Sequence, residues 1–189
     1  MEIWLIRHTT PNIDKGICYG QLNLDVADSF NDEVEHIKLL LSNNSFDKVF
    51  TSPLLRCTAL AKRLFPSEDI HFEEQIKEIN FGDWEGQKWD EINKQQLNVW
   101  SHDFLQQSPP NGENFSALLE RALNFNNTLA NSNLDKAAIV THSGIIRAFL
   151  MEYLEIPATK IFNLELSYGA IIKITIHSSD YKQVQFIKG

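Results

Sequence analysis

Ala137-Ala138-Ile139-Val140-Thr141 runs without a break into His142-Ser143-Gly144. Ile146, Phe149, Leu150 and Leu154 follow at helical spacing, up to a stop at Pro157. A short apolar run of this kind reads as a strand buried on both faces; its polar ending opens a helix. The same unit recurs upstream. Ile3-Trp4-Leu5-Ile6 breaks at Arg7-His8, and Lys48-Val49-Phe50-Thr51 breaks at Ser52-Pro53. Leu54, Cys57, Ala61 and Leu64 then mark a helix, for which Ser52 is the expected N-cap and Pro53 the first turn. Further helical faces come from Phe30, Val34, Ile37 and Leu41, and from Phe115, Leu118, Leu119, Ala122, Phe125 and Leu129. Two strands, near Ala170–His177 and Val184–Ile187, close the chain.

Strand–helix alternation over this length predicts an α/β fold, a three-layer αβα sandwich with a mostly parallel sheet. Residues 81–114 break the rhythm with Trp84, Trp89, Trp100 and a Pro109-Pro110-Asn111-Gly112 turn. They are expected to form a small helical or loop lid over one end of the sheet. No repeat, low-complexity tract or linker divides residues 1–189, so one domain is expected.

Composition narrows the function classes. The 189 residues are 43% hydrophobic and 22% charged, enough for one core and inconsistent with wholesale disorder. The net charge of −8 argues against nucleic acid and anionic membrane surfaces as partners. Cys18 and Cys57 cannot build a disulfide framework, and a reducing compartment suits them as small buried residues. Met1-Glu2-Ile3-Trp4 lacks the basic n-region of a signal peptide, and no apolar stretch reaches the ~18 residues of a spanning helix. The expected location is the cytoplasm.

In a parallel sheet the carboxyl ends of the strands share one edge, where ligands bind. Arg7, His8, Arg56 and His142 therefore converge on one cleft of an acidic protein. A helix N-terminus beside them adds free backbone N–H groups. That set suits a phosphate dianion. Taken singly, each piece has a plain structural reading: an Arg-His pair at a strand end, a solvated helix arginine, a capping serine, a core histidine. Their shared topological position favours function. The six histidines show no paired ligand spacing, and Cys-x-x-Cys, Walker-type and Gly-x-Ser-x-Gly motifs are absent. Crowding arginines oppose a divalent cation, so no metal or other cofactor is expected. The Trp-bearing segment offers a flat apolar surface to a ligand, although Trp84 and Trp89 also read as packing residues.

Leu5-Ile6-Arg7-His8, Thr51-Ser52-Pro53-Leu54-Leu55-Arg56, Glu78 ahead of Phe81-Gly82-Asp83-Trp84-Glu85-Gly86, and Val140-Thr141-His142-Ser143-Gly144 stand in this order. They resemble the motifs of the histidine phosphatase superfamily, the phosphoglycerate-mutase-like group. Within it, Gly16-Ile17-Cys18-Tyr19-Gly20-Gln21 and Ser52–Cys57 look like the alpha-ribazole phosphatases of the cobalamin pathway. The resemblance implies a phosphomonoesterase with His8 as nucleophile. It implies Arg7, Arg56 and His142 as phosphoryl ligands and Glu78 as proton donor. Asn12, Gln21 and Ser143 join them as substrate contacts. The partner is a small phosphorylated substrate; oligomeric state is left open. The chain has Thr9 where most members have glycine, and Asp14 where an asparagine often stands, which leaves Asn12 as the nearby candidate. A sugar-phosphate phosphatase, a phosphoglycerate mutase and a non-catalytic phospho-ligand sensor are the competing readings.

Overall fold

A computed structural model describes residues 1–178 and 181–189. Six strands form one mixed sheet: β1 (Glu2–Arg7), β2 (Lys48–Thr51), β3 (Ile70–Phe72), β4 (Lys136–Thr141), β5 (Ile171–Ile176) and β6 (Lys182–Lys188). Their order is β3-β2-β4-β1-β5-β6. The first four are parallel, β5 is antiparallel to β1, and β6 antiparallel to β5.

The helices are α1 (Phe30–Leu41), α2 (Leu55–Leu64), α3 (Lys94–His102), α4 (Phe115–Ala130), α5 (Ser143–Leu154) and α6 (Ala158–Ile161). Strand side chains alternate between faces, which splits the core in two. Ile3, Leu5 and Ile139 pack with Leu118, Phe125, Ile146 and Phe149 of α4 and α5. Trp4, Ile6, Ala138 and Val140 pack with Val34, Ile37, Cys57 and Leu60 of α1 and α2. Each fully buried aliphatic or aromatic side chain contributes on the order of 1.5–3 kcal/mol. Two helical layers thus sandwich one sheet. No helix among the described residues is long and apolar enough to cross a membrane.

Residues 81–114 fold as a short 3-10 turn (Gly82–Trp84), α3 and irregular chain. Cys18, Trp84 and Ile92 form a third cluster there, with Phe81, Trp89, Leu97 and Trp100 packed around it. Trp84, Trp89 and Trp100 meet edge to face or stacked, with centroids 5.7–6.4 Å apart. Two local expectations are corrected. The helix after β2 begins at Leu55, with Leu54 rather than Ser52 at the N-cap; Asn23 Oδ1 accepts the Leu55 N–H at 2.7 Å from across the chain. α5 ends at Leu154, ahead of Pro157, because Glu155 turns into the left-handed region at φ 53°.

Candidate active site

Parallel pairing aligns the strand ends. Arg7 lies opposite Thr141, and Thr51 opposite Val140. The ladder runs one step further: His8 N–H donates to Thr141 O and Ser52 N–H to Val140 O, each at 2.9 Å. His142, the N-cap of α5, thereby sits beside both. The His8 and His142 rings meet edge to face, 5.2 Å between centroids.

Both imidazoles are buried, and their partners fix their tautomers. His8 Nδ1 lies 2.7 Å from the Thr9 carbonyl, which only an N–H can satisfy, so the Nε2 lone pair is free. Arg56 Nε–H donates to that lone pair at 3.3 Å. Arg56 Nη2 stands 3.3 Å from His142 Nδ1, and a guanidinium can only donate. His142 Nε2 therefore carries the proton, 2.8 Å from Ser52 Oγ. Burial, followed by the charges of Arg56 and Arg7, holds His8 well below the ordinary histidine range. Burial and then Arg56 do the same to His142. Both rings are neutral at physiological pH.

Arg56 is fully buried in the first turn of α2. Besides the two histidines, its guanidinium donates to the carbonyls of Leu22 at 2.8 Å and Gly20 at 2.6 Å. Arg7 donates through Nη1 to the Leu166 carbonyl, and its guanidinium packs 4.2 Å from the Tyr168 ring centre. Its buried Nε–H has no acceptor. Two cations thus crowd the nucleophile.

Glu78 approaches the N-terminus of α5. Its carboxylate accepts the Gly144 N–H at 3.2 Å, the Ile79 N–H at 3.0 Å and the Ser143 hydroxyl at 3.3 Å. A Cβ at Gly144 would overlap Glu78 Oε1, so the carboxylate holds this position only beside a glycine. The segment carrying Glu78 is clamped from behind. Arg121 donates to the carbonyls of Gln75, Lys77 and Glu78 and is paired with Glu113 at 2.6 Å. Gln21 Nε2 donates to Glu78 O at 3.0 Å.

A cavity of about 160 Å³ opens from Arg7, Glu78, Ser143 and Gly144 toward Arg147. Tyr19, Phe81, Trp100, Phe104, Phe115 and Phe162 supply its aromatic wall. Phe104 and Phe162 meet edge to face at 5.1 Å. The Tyr19 and Tyr168 hydroxyls are 2.5 Å apart.

The structure therefore gathers Arg7, His8, Arg56, Glu78, His142 and Ser143 in one place. Gln21 lies behind Glu78 rather than on the cavity wall. Asn12 is exposed; its backbone N–H donates to Asp25 O, and its side chain does not line the cavity. Arg121, Arg147 and Tyr168 escaped the sequence reading. Arg121 reaches the Gln75–Glu78 carbonyls 43 to 46 residues away, Arg147 reaches Leu164 17 residues away and Tyr168 meets Tyr19 149 residues away; only the shared face of Ser143 and Arg147 on α5 left a local signal. Among the described residues no cluster of His, Cys, Asp and Glu is placed to hold a metal ion.

This architecture belongs to a known class. The family model of the histidine phosphatase superfamily (branch 1) matches residues 3–187, and the chain belongs to that family as a phosphoric monoester hydrolase. The chain is 27% identical over 184 residues to the adenosylcobalamin/alpha-ribazole phosphatase of Salmonella typhimurium, covering 93% of this chain and 91% of the relative. It is 25% identical to the Escherichia coli enzyme of the same name, covering 94% and 91%. The crystal structure of the alpha-ribazole phosphatase from Shigella flexneri superposes with a TM-score of 0.89 at 23% identity, covering 98% and 95%. The mycobacterial glucosyl-3-phosphoglycerate phosphatase superposes at 0.83 with 15% identity, covering 98% and 97%.

Proposed function

We propose that the chain removes the 5′-phosphate of alpha-ribazole 5′-phosphate, through a phosphohistidine on His8 and without a metal ion. One observation carries the reading. The unprotonated Nε2 of His8 meets the Arg56 guanidinium at 3.3 Å, next to the Arg7 that lines one cavity with Glu78. In the first half-reaction the Nε2 lone pair forms the N–P bond as the P–O ester bond breaks, and the Glu78 carboxyl proton passes to the departing oxygen. In the second, water attacks phosphorus and gives its proton to Glu78; the N–P bond breaks and orthophosphate leaves. Arg7 and Arg56 donate to the equatorial oxygens, where charge gathers in both steps, and His142 joins them by turning its Nε2–H from Ser52 Oγ to a phosphoryl oxygen.

The substrate assignment is supported by the full-length relatives and by the aromatic wall, which offers a flat apolar base a surface. We read residues 81–114 as the lid supplying part of that wall and residues 1–189 as one domain. The free thiols Cys18 and Cys57 suit a reducing, cytoplasmic setting. The test is phosphate release from alpha-ribazole 5′-phosphate, sugar phosphates, phosphoserine and 3-phosphoglycerate under one set of conditions. The reading requires the highest kcat/KM for the ribazole ester; a sugar phosphate or phosphoserine in that place overturns it.

A further inference from the structure

Arg147 lies four residues after Ser143, and both line the cavity that holds Arg7 and Glu78. Positions i and i+4 share a helix face, and one turn advances about 5.4 Å. Ser143 donates to Glu78. Arg147 therefore stands about one helical turn from the proton donor, along the wall that a leaving group must follow once its ester oxygen meets Glu78.

The guanidinium of Arg147 is anchored but not saturated. Nη2 donates to the Leu164 carbonyl at 2.9 Å, and the group packs 5.2 Å from the Phe162 ring centre. Its Nε–H is buried without an acceptor. Nη1 is held only by the Ser143 carbonyl at 3.5 Å, so the site favours a ligand that brings that nitrogen a better acceptor. Arg7 lines the same cavity. Arg7 stands next to His8, where the phosphoryl group is received. Arg147, further along α5, faces what the phosphoryl group is attached to.

We infer that Arg147 reads the leaving group. Its Nη1 donates to an oxygen or nitrogen acceptor roughly one helical turn from the ester oxygen, while Trp100, Phe104 and Phe162 take the flat apolar part. The substrate class is thus phosphomonoesters of ring-bearing alcohols with such an acceptor, as the ribose of a nucleoside 5′-phosphate provides. An ester whose leaving group lacks one, such as phenyl phosphate, does not use the contact. The inference rests on the reading of Glu78 as the group that meets the ester oxygen.

The experiment compares wild type, Arg147→Met and Arg147→Lys on alpha-ribazole 5′-phosphate, ribose 5-phosphate and phenyl phosphate. Arg147→Met is expected to lower kcat/KM for the two ribose esters roughly 10- to 100-fold, mainly through KM. The loss on phenyl phosphate is expected to be at least about tenfold smaller. Arg147→Lys keeps the charge without the guanidinium fork and is expected to show the same ranking, which carries the test if the methionine variant does not fold. Equal losses on all three esters, or a lysine variant indistinguishable from wild type, overturn the assignment. A wild type that hydrolyses ribose 5-phosphate but not the ribazole ester removes only the substrate proposed above, and the comparison proceeds on ribose 5-phosphate. A wild type inactive on all three overturns both readings.

Discussion

The Nε–H of Arg56 donates to the Nε2 of His8 across 3.3 Å. A permanently charged donor at that atom requires a lone pair there, so the arginine and the Thr9 carbonyl together hold the imidazole in one tautomer. Before substrate arrives, the nucleophilic nitrogen is occupied by a weak, exchangeable partner. An incoming phosphoryl oxygen can take over the Arg56 proton and leave Nε2 facing phosphorus.

His8→Ala is expected to abolish turnover, since no neighbouring side chain can replace an imidazole held in this way. Wild type quenched during reaction with a labelled phosphate donor should carry an acid-labile, base-stable label, and the variant none. A variant retaining full activity contradicts the mechanism.

Glu78→Gln keeps size and polarity but removes the transferable proton. Phosphorylation by alkyl esters is expected to slow on the order of 10²–10⁴-fold, and by aryl esters much less, because phenolates leave without full protonation. Arg56→Ala is expected to harm both classes, which share the same phosphoryl group. Single-turnover formation of the phosphoenzyme separates the two. Equal losses for alkyl and aryl esters in the Glu78 variant would make it a phosphate-positioning group. Glu113, tied to Arg121 and the Asn80 N–H, is not poised to substitute.

Gly144→Ala tests the same carboxylate without touching it. The added methyl would overlap Glu78 Oε1 and crowd Leu118. The expected outcome is a leaving-group dependence like that of Glu78→Gln, with the His8 label still formed from aryl phosphates. Unchanged alkyl-ester kinetics would show that Glu78 works from another position.

Stability should fall as pH is lowered through the ordinary histidine value of 6.5. Folded His8 and His142 refuse protons that the unfolded chain accepts, so the unfolded state binds more protons and stability rises with pH in this window. The slope approaches about 1.4 kcal/mol per pH unit for each histidine that stays neutral. Urea unfolding between about pH 5 and 7.5 measures it, and His142→Asn should lose about half. A flat profile in wild type contradicts the burial argument.

The strand ends were legible because buried parallel strands are short, continuously apolar and abruptly terminated. That placed Arg7-His8, Thr51-Ser52 and Thr141-His142 at one sheet edge, where the ladder aligns them. β3 was not, because Ile70–Phe72 is three residues long at the sheet edge and half exposed. Ser52 was misread because a serine before a proline looks like a cap; its hydroxyl meets His142, and Asn23 caps the helix instead. The supports of Glu78 were equally hidden. Gln21 and Arg121 reach its carbonyl from 57 and 43 residues away, and no local pattern encodes such a reach.

Arg56 is wrapped in carbonyls and imidazoles, and among the described residues no carboxylate is ion-paired with it. The free protein therefore carries a charge deficit at its centre, and desolvated charge of one sign weighs against the fold. An oxyanion entering the pocket cancels that deficit, so occupancy and thermal resistance become two readings of one equilibrium. Orthophosphate, as the released product, is then also a folding ligand. Its concentration in the surrounding solution sets both what fraction of the sites is held by product and how hard the chain is to unfold.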